Sequence, residues 1–458
     1  MILNETKIKE VLLTGLKKTE MGIGDLKKSI DLNSAAQEIY KLICRLYPIC
    51  RSITGNGFRE TLRIIREYIP LTMHEIPTGT KVFDWTVPKE WNINDAYVKD
   101  SKGERKIDFR KSNLHVMGYS VPVQSRMPLS ELKKHLHTLP DHPDWIPYRT
   151  SYYKEDWGFC LSHNGFQNLK EDTYEVFIDS TLEDGHLTYG EYFVKGQTTQ
   201  EILLSCHACH PSLCNDNVAG IALTSLLGKY LGALSLRYSY RILFIPSTIG
   251  SITWLSLNEA VVSNIKHGLV VTCVGDSGIS TYKTSRIGNA EIDIAVEHVL
   301  KHSGNSYKVV GFSPYGYDER QYCSPGFNLP VGCLQRTPHG EYPEYHTSAD
   351  NCDFVKLEYL ADSFSKYLSV LNILENNKTY INTNPKCEPQ LGKRGLYTTI
   401  GGKSHTVADQ MALLWTLNLS DGQHTLLDIA KKSEICFDEI YEASRSLLKT
   451  GLLEEQRL

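Results

Sequence analysis

Between Glu201 and Asn376 the chain alternates short, near-continuous apolar runs with longer segments of helical spacing, and nothing else restricts the fold as much. EILLSCH, RILFIPS and HGLVVTCVG lack the apolar/polar alternation of a strand with one wet face, so each reads as a strand buried on both sides. A Gly-containing loop and a long apolar helix over about residues 218–231 follow the first run. EIDIAVEHVLKH and DFVKLEYLADSFSKYLSVLNIL supply two more helices, and NLPVGCL a further strand. Strands of this kind separated by helices predict an α/β fold, a mixed but mostly parallel sheet sandwiched by helices.

The flanks have a different texture. Residues 1 to about 30 read as a loosely amphipathic helical lead-in. Ile39, Leu42, Ile43 and Leu46, then Leu62, Ile65 and Tyr68, keep helical spacing around a Gly-punctuated turn, RSITGNG. From Val82 to Gly196 short β-prone runs broken by Pro, Gly and Asp predict a small β-rich domain inserted into the α/β layer. After Asn384 a Pro/Gly/Lys-rich stretch reads as a linker. Helical segments near Thr406–Leu414, Thr425–Lys432 and Phe437–Thr450, with a Gly stop and a short strand after the third, give a winged-helix pattern. The predicted organisation is therefore residues 1–81 plus 197–380 as the α/β domain, 82–196 as the insertion and 385–458 as a winged helix.

Composition narrows the function classes. With 49 Lys+Arg against 53 Asp+Glu, the formal net charge of −4 excludes a protein that coats nucleic acid or membranes through a basic surface. No apolar run reaches the ~18–20 residues of a spanning helix, and MILNETKIKEVLLTGLKK lacks the layout of a signal peptide. The expectation is a soluble, cytoplasmic protein whose 12 Cys are reduced packing residues rather than a disulfide framework.

Chemistry concentrates in two segments. In LLSCHACHPSLCNDNVAGIAL, His207 directly follows a buried strand and Asp216 lies nine residues later, before a helix. Ligands gather at the carboxyl ends of the strands in open α/β sheets, and His with Asp suits a divalent metal, most often zinc. His210 is a ligand or a partner of one. Cys209 and Cys214 leave a structural Cys/His zinc site open, although CHACH lacks the second spaced pair that such a site needs. A polar loop without metal, its histidines satisfied by backbone groups, is the plainer alternative. The second segment, YDERQYCSPGFNLPVGCLQRTPHGEYPEYHTSADN, holds Asp318, Glu319, Arg320, Arg336, His339, Glu341, Glu344, Tyr345, His346 and Asp350, with His346 placed, like His207, at a strand's carboxyl edge. Asp276, ending GLVVTCVGD, is a third contributor. Arg51 and Arg336 could grip a substrate carboxylate bidentately or serve structural ion pairs.

The strand with its HxxH and NDN loop, the central strands and the HTSAD loop resemble the zinc aminopeptidase superfamily. More closely, CRSITGNG, FDWTVPKEW, NLHVMGYS, WGFCLS, CHPSLCNDN, YDERQYCSPG and EYHTSADN resemble a bacterial aminopeptidase-like family, described as a domain of unknown function and linked to polysaccharide biosynthesis. The resemblance implies an aminopeptidase-like catalytic domain with an inserted β domain and a carboxy-terminal winged helix. It implies one or two Zn²⁺ ions held by His207 or His210, Asp216 and His346, with Asp318 a further ligand or amine binder. Arg320, Arg336 and Tyr345 are candidate substrate contacts. In the related proteins a glutamate that moves the proton of the attacking water stands where this chain has Ser247, and Glu319 is the candidate to replace it. Two functions follow. One is a zinc-dependent hydrolase that cleaves an amide bond next to a free amine, in a small peptide or an aminoacyl group on a sugar-pathway intermediate. The other is a catalytically inactive metal or ligand binder whose winged helix serves assembly or regulation.

The winged helix would ordinarily point to DNA, with its third helix in the groove. That helix begins with Asp438, Glu439 and Glu442, and residues 385–458 carry 9 Lys+Arg against 10 Asp+Glu. Phosphates repel such a surface, so a protein contact or a homo-oligomer through the winged-helix or β-rich domain is expected instead. Phe83, Trp85, Trp91, Tyr152, Tyr153 and Trp157 frame a cleft or fill the insertion's core.

Overall fold

The apolar runs lie at the centre of an eight-stranded sheet in the computed structural model, which describes residues 21–396 and 407–456. In chain order the strands are β1 (Thr72–Pro77), β2 (His186–Val194), β3 (Glu201–His207), β4 (Ser239–Ile245), β5 (Ile265–Val271), β6 (Ser280–Lys283), β7 (Tyr307–Val310) and β8 (Val331–Gln335). Across the sheet they run β1-β2-β4-β3-β5-β8-β6-β7. β4, β3, β5 and β8 are parallel. β1 and β2 add antiparallel at one edge, and β6 lies antiparallel to β8. The mixed, mostly parallel α/β architecture is the one that the residue pattern predicts. Every residue of β3 and β4 is buried, which is why those runs carry no polar alternation.

The longer helices are α1 (Ile23–Ser29), α2 (Leu32–Leu46), α3 (Asn56–Ile65), α4 (Ala219–Ala233), α5 (Ile249–Leu257), α6 (Glu291–Lys301), α7 (Leu357–Asn376), α8 (Val407–Leu419), α9 (Leu426–Ser433) and α10 (Phe437–Lys449). All of α4 but Tyr230 is buried, so AGIALTSLLGKYLGA needs no polar stripe. α2, α4 and α7 pack against one another. Most of the predicted amino-terminal lead-in falls in residues 1–20, outside the described residues, as does Thr406 at the start of the first winged-helix segment. Between α2 and α3, Gly55 holds φ +92°, and a Cβ there would collide with the Trp91 carbonyl.

Within the β-rich block, Glu90–Lys99, Arg105–Asp108, Val123–Pro128 and Thr173–Glu183 form a separate four-stranded antiparallel sheet. It has its own core, including Val98, Ile107, Leu132, Phe159, Tyr174, Val176 and Ile178. β2, by contrast, pairs with β4 in the main sheet. The block is tied to the body by the Arg59–Glu90 ion pair (2.6 Å) and by Trp91, whose backbone N–H donates to Thr54 Oγ1 (3.0 Å). At the other end, Thr379–Asn382 follows α7 almost at once and forms the middle strand of a three-stranded sheet with Asp421–Thr425 and Leu453–Glu455, alongside α8, α9 and α10.

Candidate metal centre

The site forms where β3, β4, β5 and β8 end. β3 finishes on His207, and the loop that follows brings Asp216 back beside it. Two asparagines staple this loop. Asn217 Nδ2 donates to the carbonyls of His207 (3.2 Å) and Val271 (2.9 Å), tying β3 to β5. Asn215 donates to Asp276 Oδ1 (3.1 Å) and accepts from Gly275 N (2.9 Å). Asp350 takes the backbone N–H groups of Asn215 (2.6 Å) and Asp216 (3.0 Å). Each residue of NDN therefore has a task, and Asp276 acts on Asn215 rather than at the centre itself.

Three imidazoles converge on the fully buried Asp216 carboxylate. His207 Nε2 lies 3.0 Å from Oδ1, His210 Nδ1 3.2 Å from Oδ2, and His346 Nε2 3.1 Å from Oδ2. The Tyr317 hydroxyl donates to Oδ1 at 3.0 Å. Burial alone would raise the Asp216 carboxyl, but His210, His207 and His346 outweigh it and hold the group well below the usual carboxylate range. Burial pushes His207 and His346 below the ordinary imidazole value. For His210 the neighbouring Asp216 charge overcomes burial and raises it. The donor atoms of His207, His210 and Asp216 lie within 4.8 Å of one another, with no other such group of His, Cys, Asp or Glu among the described residues. Imidazole nitrogens beside a carboxylate are the donor set zinc prefers, so the residues fit that ion.

Aromatic rings set the orientation of these imidazoles. Tyr317 stacks on His207 (4.8 Å, 17°) and Tyr345 on His346 (3.9 Å, 13°), while Tyr148 meets His210 and His346 edge-on at 5.4 and 5.1 Å. Tyr148 comes from the β-rich block, and its N–H donates to the His346 carbonyl (2.8 Å). Sequence reasoning missed Tyr317 and Tyr148. The first was signalled only by its place before Asp318, the second by nothing local.

The other expected site residues are placed differently. Asp318 is fully buried, and its Oδ1 accepts from Ser251 Oγ (2.7 Å). Burial first, then Glu319, pushes its carboxyl up to about 7, against the Ser251 and Ser247 hydroxyls. It is not in the His/Asp group. Glu319 is buried against Lys283 Nζ (2.8 Å). Ser247 stands just past β4, with its hydroxyl toward Asp318. Arg336 is committed to Asp362 (2.6 Å), and Arg51 to the carbonyls of His210 and Leu46. Arg320 lies under the Tyr315 ring, its Nε buried without a partner.

Residues 40–377 match a family described as a domain of unknown function, DUF4910, and residues 378–455 match a winged helix-turn-helix. A Clostridium acetobutylicum protein is 59% identical over 417 residues, covering 91% of this chain and 96% of that one. Its name is "Putative polysaccharide biosynthesis protein with aminopeptidase-like domain". A crystal structure of a "putative peptidase" from the same species superposes with TM-score 0.91 at 56% identity, over 95% of this chain and 100% of that one. A zinc aminopeptidase from Bacillus subtilis shares the fold at TM-score 0.53 and 11% identity, over 73% of this chain and 94% of that one. The chain thus has an aminopeptidase-like fold followed by a winged helix, and it belongs to the DUF4910 family.

Proposed function

We propose that this protein is a zinc-dependent hydrolase of aminopeptidase type, cleaving an amide bond next to a free amine. The observation that carries the reading is the convergence of His207, His210 and His346 on Asp216 at the carboxyl ends of parallel strands. These residues would hold one or two Zn²⁺ ions, which supply Lewis acidity toward a carbonyl and activate water near neutral pH. The chain's own groups do the rest. Asp350, Asn215 and Asn217 fix the ligand loop, Tyr345 and Tyr148 wall the site, and Arg320 Nε is left to meet an anionic part of the substrate. The substrate class is a small peptide or an aminoacyl group on a sugar-pathway intermediate, in line with the name of the Clostridium relative. The setting is the cytoplasm, and the winged helix contacts protein, in this chain or another copy, rather than nucleic acid.

Ser247 favours a second reading, a metal-binding protein without turnover. Serine is no general base at neutral pH without a partner, and losing a positioned base costs about 10²–10⁴-fold. Metal analysis with an aminoacyl 4-nitroanilide assay separates the two. The hydrolase predicts stoichiometric zinc and turnover abolished in His346→Ala. The silent binder predicts zinc without turnover, and activity gained in Ser247→Glu. Absence of zinc after gentle purification would overturn both.

A further inference from the structure

The groups first considered for moving a proton here are a hydroxyl and two carboxyls that are fully buried. Ser247 is the hydroxyl, Glu319 gives one oxygen to Lys283 at 2.8 Å, and Asp318 gives one to Ser251, the second oxygen of each lying buried without a partner. His339 is a partly exposed titratable side chain among the rings around the centre. His339, on the loop after β8, lies edge-on to Tyr317 (ring centroids 5.1 Å, 76°) and 6.4 Å from Tyr345. Those two rings are the ones stacked on His207 and His346. The imidazole is therefore framed by both aromatic supports of the metal ligands. Its Nδ1 is buried without a hydrogen-bond partner, and the residue as a whole is only half-buried. A nitrogen left unsatisfied beside a reaction centre is where a water or substrate atom would bind.

We infer that His339 is the proton-transferring residue of this site, in the role that the family resemblance gives to a glutamate at position 247. The inference rests on the hydrolase reading. Its imidazole takes a proton from water as the water oxygen adds to the amide carbon. The tetrahedral adduct then collapses, the C–N bond breaks, and the imidazolium returns the proton to the leaving nitrogen. One amide and one water become one carboxylic acid and one amine, and His339 ends neutral. The groups around it allow this. Burial comes first and lowers the imidazole below its ordinary value, Glu319, Asp216 and Glu341 pull it up, and Lys283 pulls it down. His346 faces the same space, and Tyr315, Tyr317 and Tyr345 supply the rings. The resting form is neutral at pH 7 and able to accept.

The test uses the zinc-loaded full chain with leucyl 4-nitroanilide. His339→Gln should lower kcat by about 10²–10⁴-fold, leave KM and zinc content near wild type, and remove the acid limb of the kcat–pH profile. In His339→Ala, added imidazole should restore part of the turnover. Calorimetry with leucine hydroxamate in two buffers of different ionisation enthalpy supplies a readout apart from turnover. Wild type keeps the proton that the hydroxamate gives up, and His339→Gln should release about one proton more. Unchanged kcat and pH profile in His339→Gln, or equal proton release, would overturn the role of His339 while leaving the hydrolase intact. A wild type without turnover would sink the hydrolase reading and this assignment with it.

Discussion

His346 holds φ +56°, a left-handed conformation that costs a non-glycine residue energy and persists only where its surroundings enforce it. Here the Tyr148 N–H on its carbonyl and the Tyr345 ring on its imidazole do so, and Nε2 reaches Asp216 as a result. A second residue-scale feature lies behind the same loop. Cys214 donates to Cys352 Sγ at 3.6 Å, and this contact, ahead of the opposing burial, draws the Cys352 thiol down to about 7. Burial raises Cys44 instead, although that residue is exposed. Thiolate fraction governs alkylation, so at pH 7.5 iodoacetamide should label Cys352 ahead of Cys44, with a rate midpoint near pH 7, as peptide mass spectrometry would read. Labelling in the order of exposure would contradict this. At this scale His207, Asp216 and His346 were legible because their ligand chemistry and strand-end positions are local properties. Tyr148 was not, since it reaches His346 from almost two hundred residues away. Asp318 and Glu319 stand out because acidity is visible in a sequence, whereas the Ser251 and Lys283 groups that each take one of their oxygens are not.

Elements repeat the pattern. β3, β4 and β5 were visible as unbroken apolar runs because both faces of their sheet are covered, and α7 by its spacing. α5 was not anticipated, since IGSITWLSL is apolar all round, with seven of its nine residues buried, and so offers no period to read. β2 resembles its β-rich neighbours in composition, and only its pairing with β4 assigns it to the large sheet. The joint between the two sheets has a measurable strength. Arg59 on α3 holds Glu90 bidentately at 2.7 and 2.6 Å, and this guanidinium lowers the Glu90 carboxyl from 4.5 to about 2 despite partial burial. Because the folded value is depressed, the stabilisation is complete above about 4.5 and disappears as pH falls toward 2. Glu90→Gln should therefore cost about 2–3 kcal/mol at pH 7. The gap from wild type in urea midpoint should narrow steadily as pH falls from about 4.5 toward 2. A gap independent of pH would show that the pair contributes nothing beyond shape.

In the whole molecule, α10 is turned inward. Asp438 pairs with Lys27 (2.6 Å) and accepts from Asn372 Nδ2 (2.9 Å), Glu442 pairs with Lys28 (2.5 Å), and the Phe437 N–H donates to His298 Nε2 (3.0 Å). The acidic start of this helix meets lysines of its own chain. Exposed pairs of this kind contribute about 0.2–1 kcal/mol each. Asp438→Lys with Glu442→Lys should lower Tm by a few degrees at low ionic strength, and the deficit should shrink near about 1 M salt, where screening acts over ~3 Å. A deficit indifferent to salt would assign the cost to packing instead. The position of Thr379–Asn382 has a consequence for how the chain can be divided. Only Asn377 and Lys378 separate it from α7, and both of its edges are occupied, by Asp421–Thr425 on one side and Leu453–Glu455 on the other. A cut in the Pro-rich stretch that follows would take both neighbours away and leave the amino-terminal piece with a naked ribbon of unpaired amides at the end of a long rod, which is a template for sticking to other chains. A division that spares this small sheet falls upstream instead, at Asn377 and Lys378, and leaves α7 packed on α2 and α4.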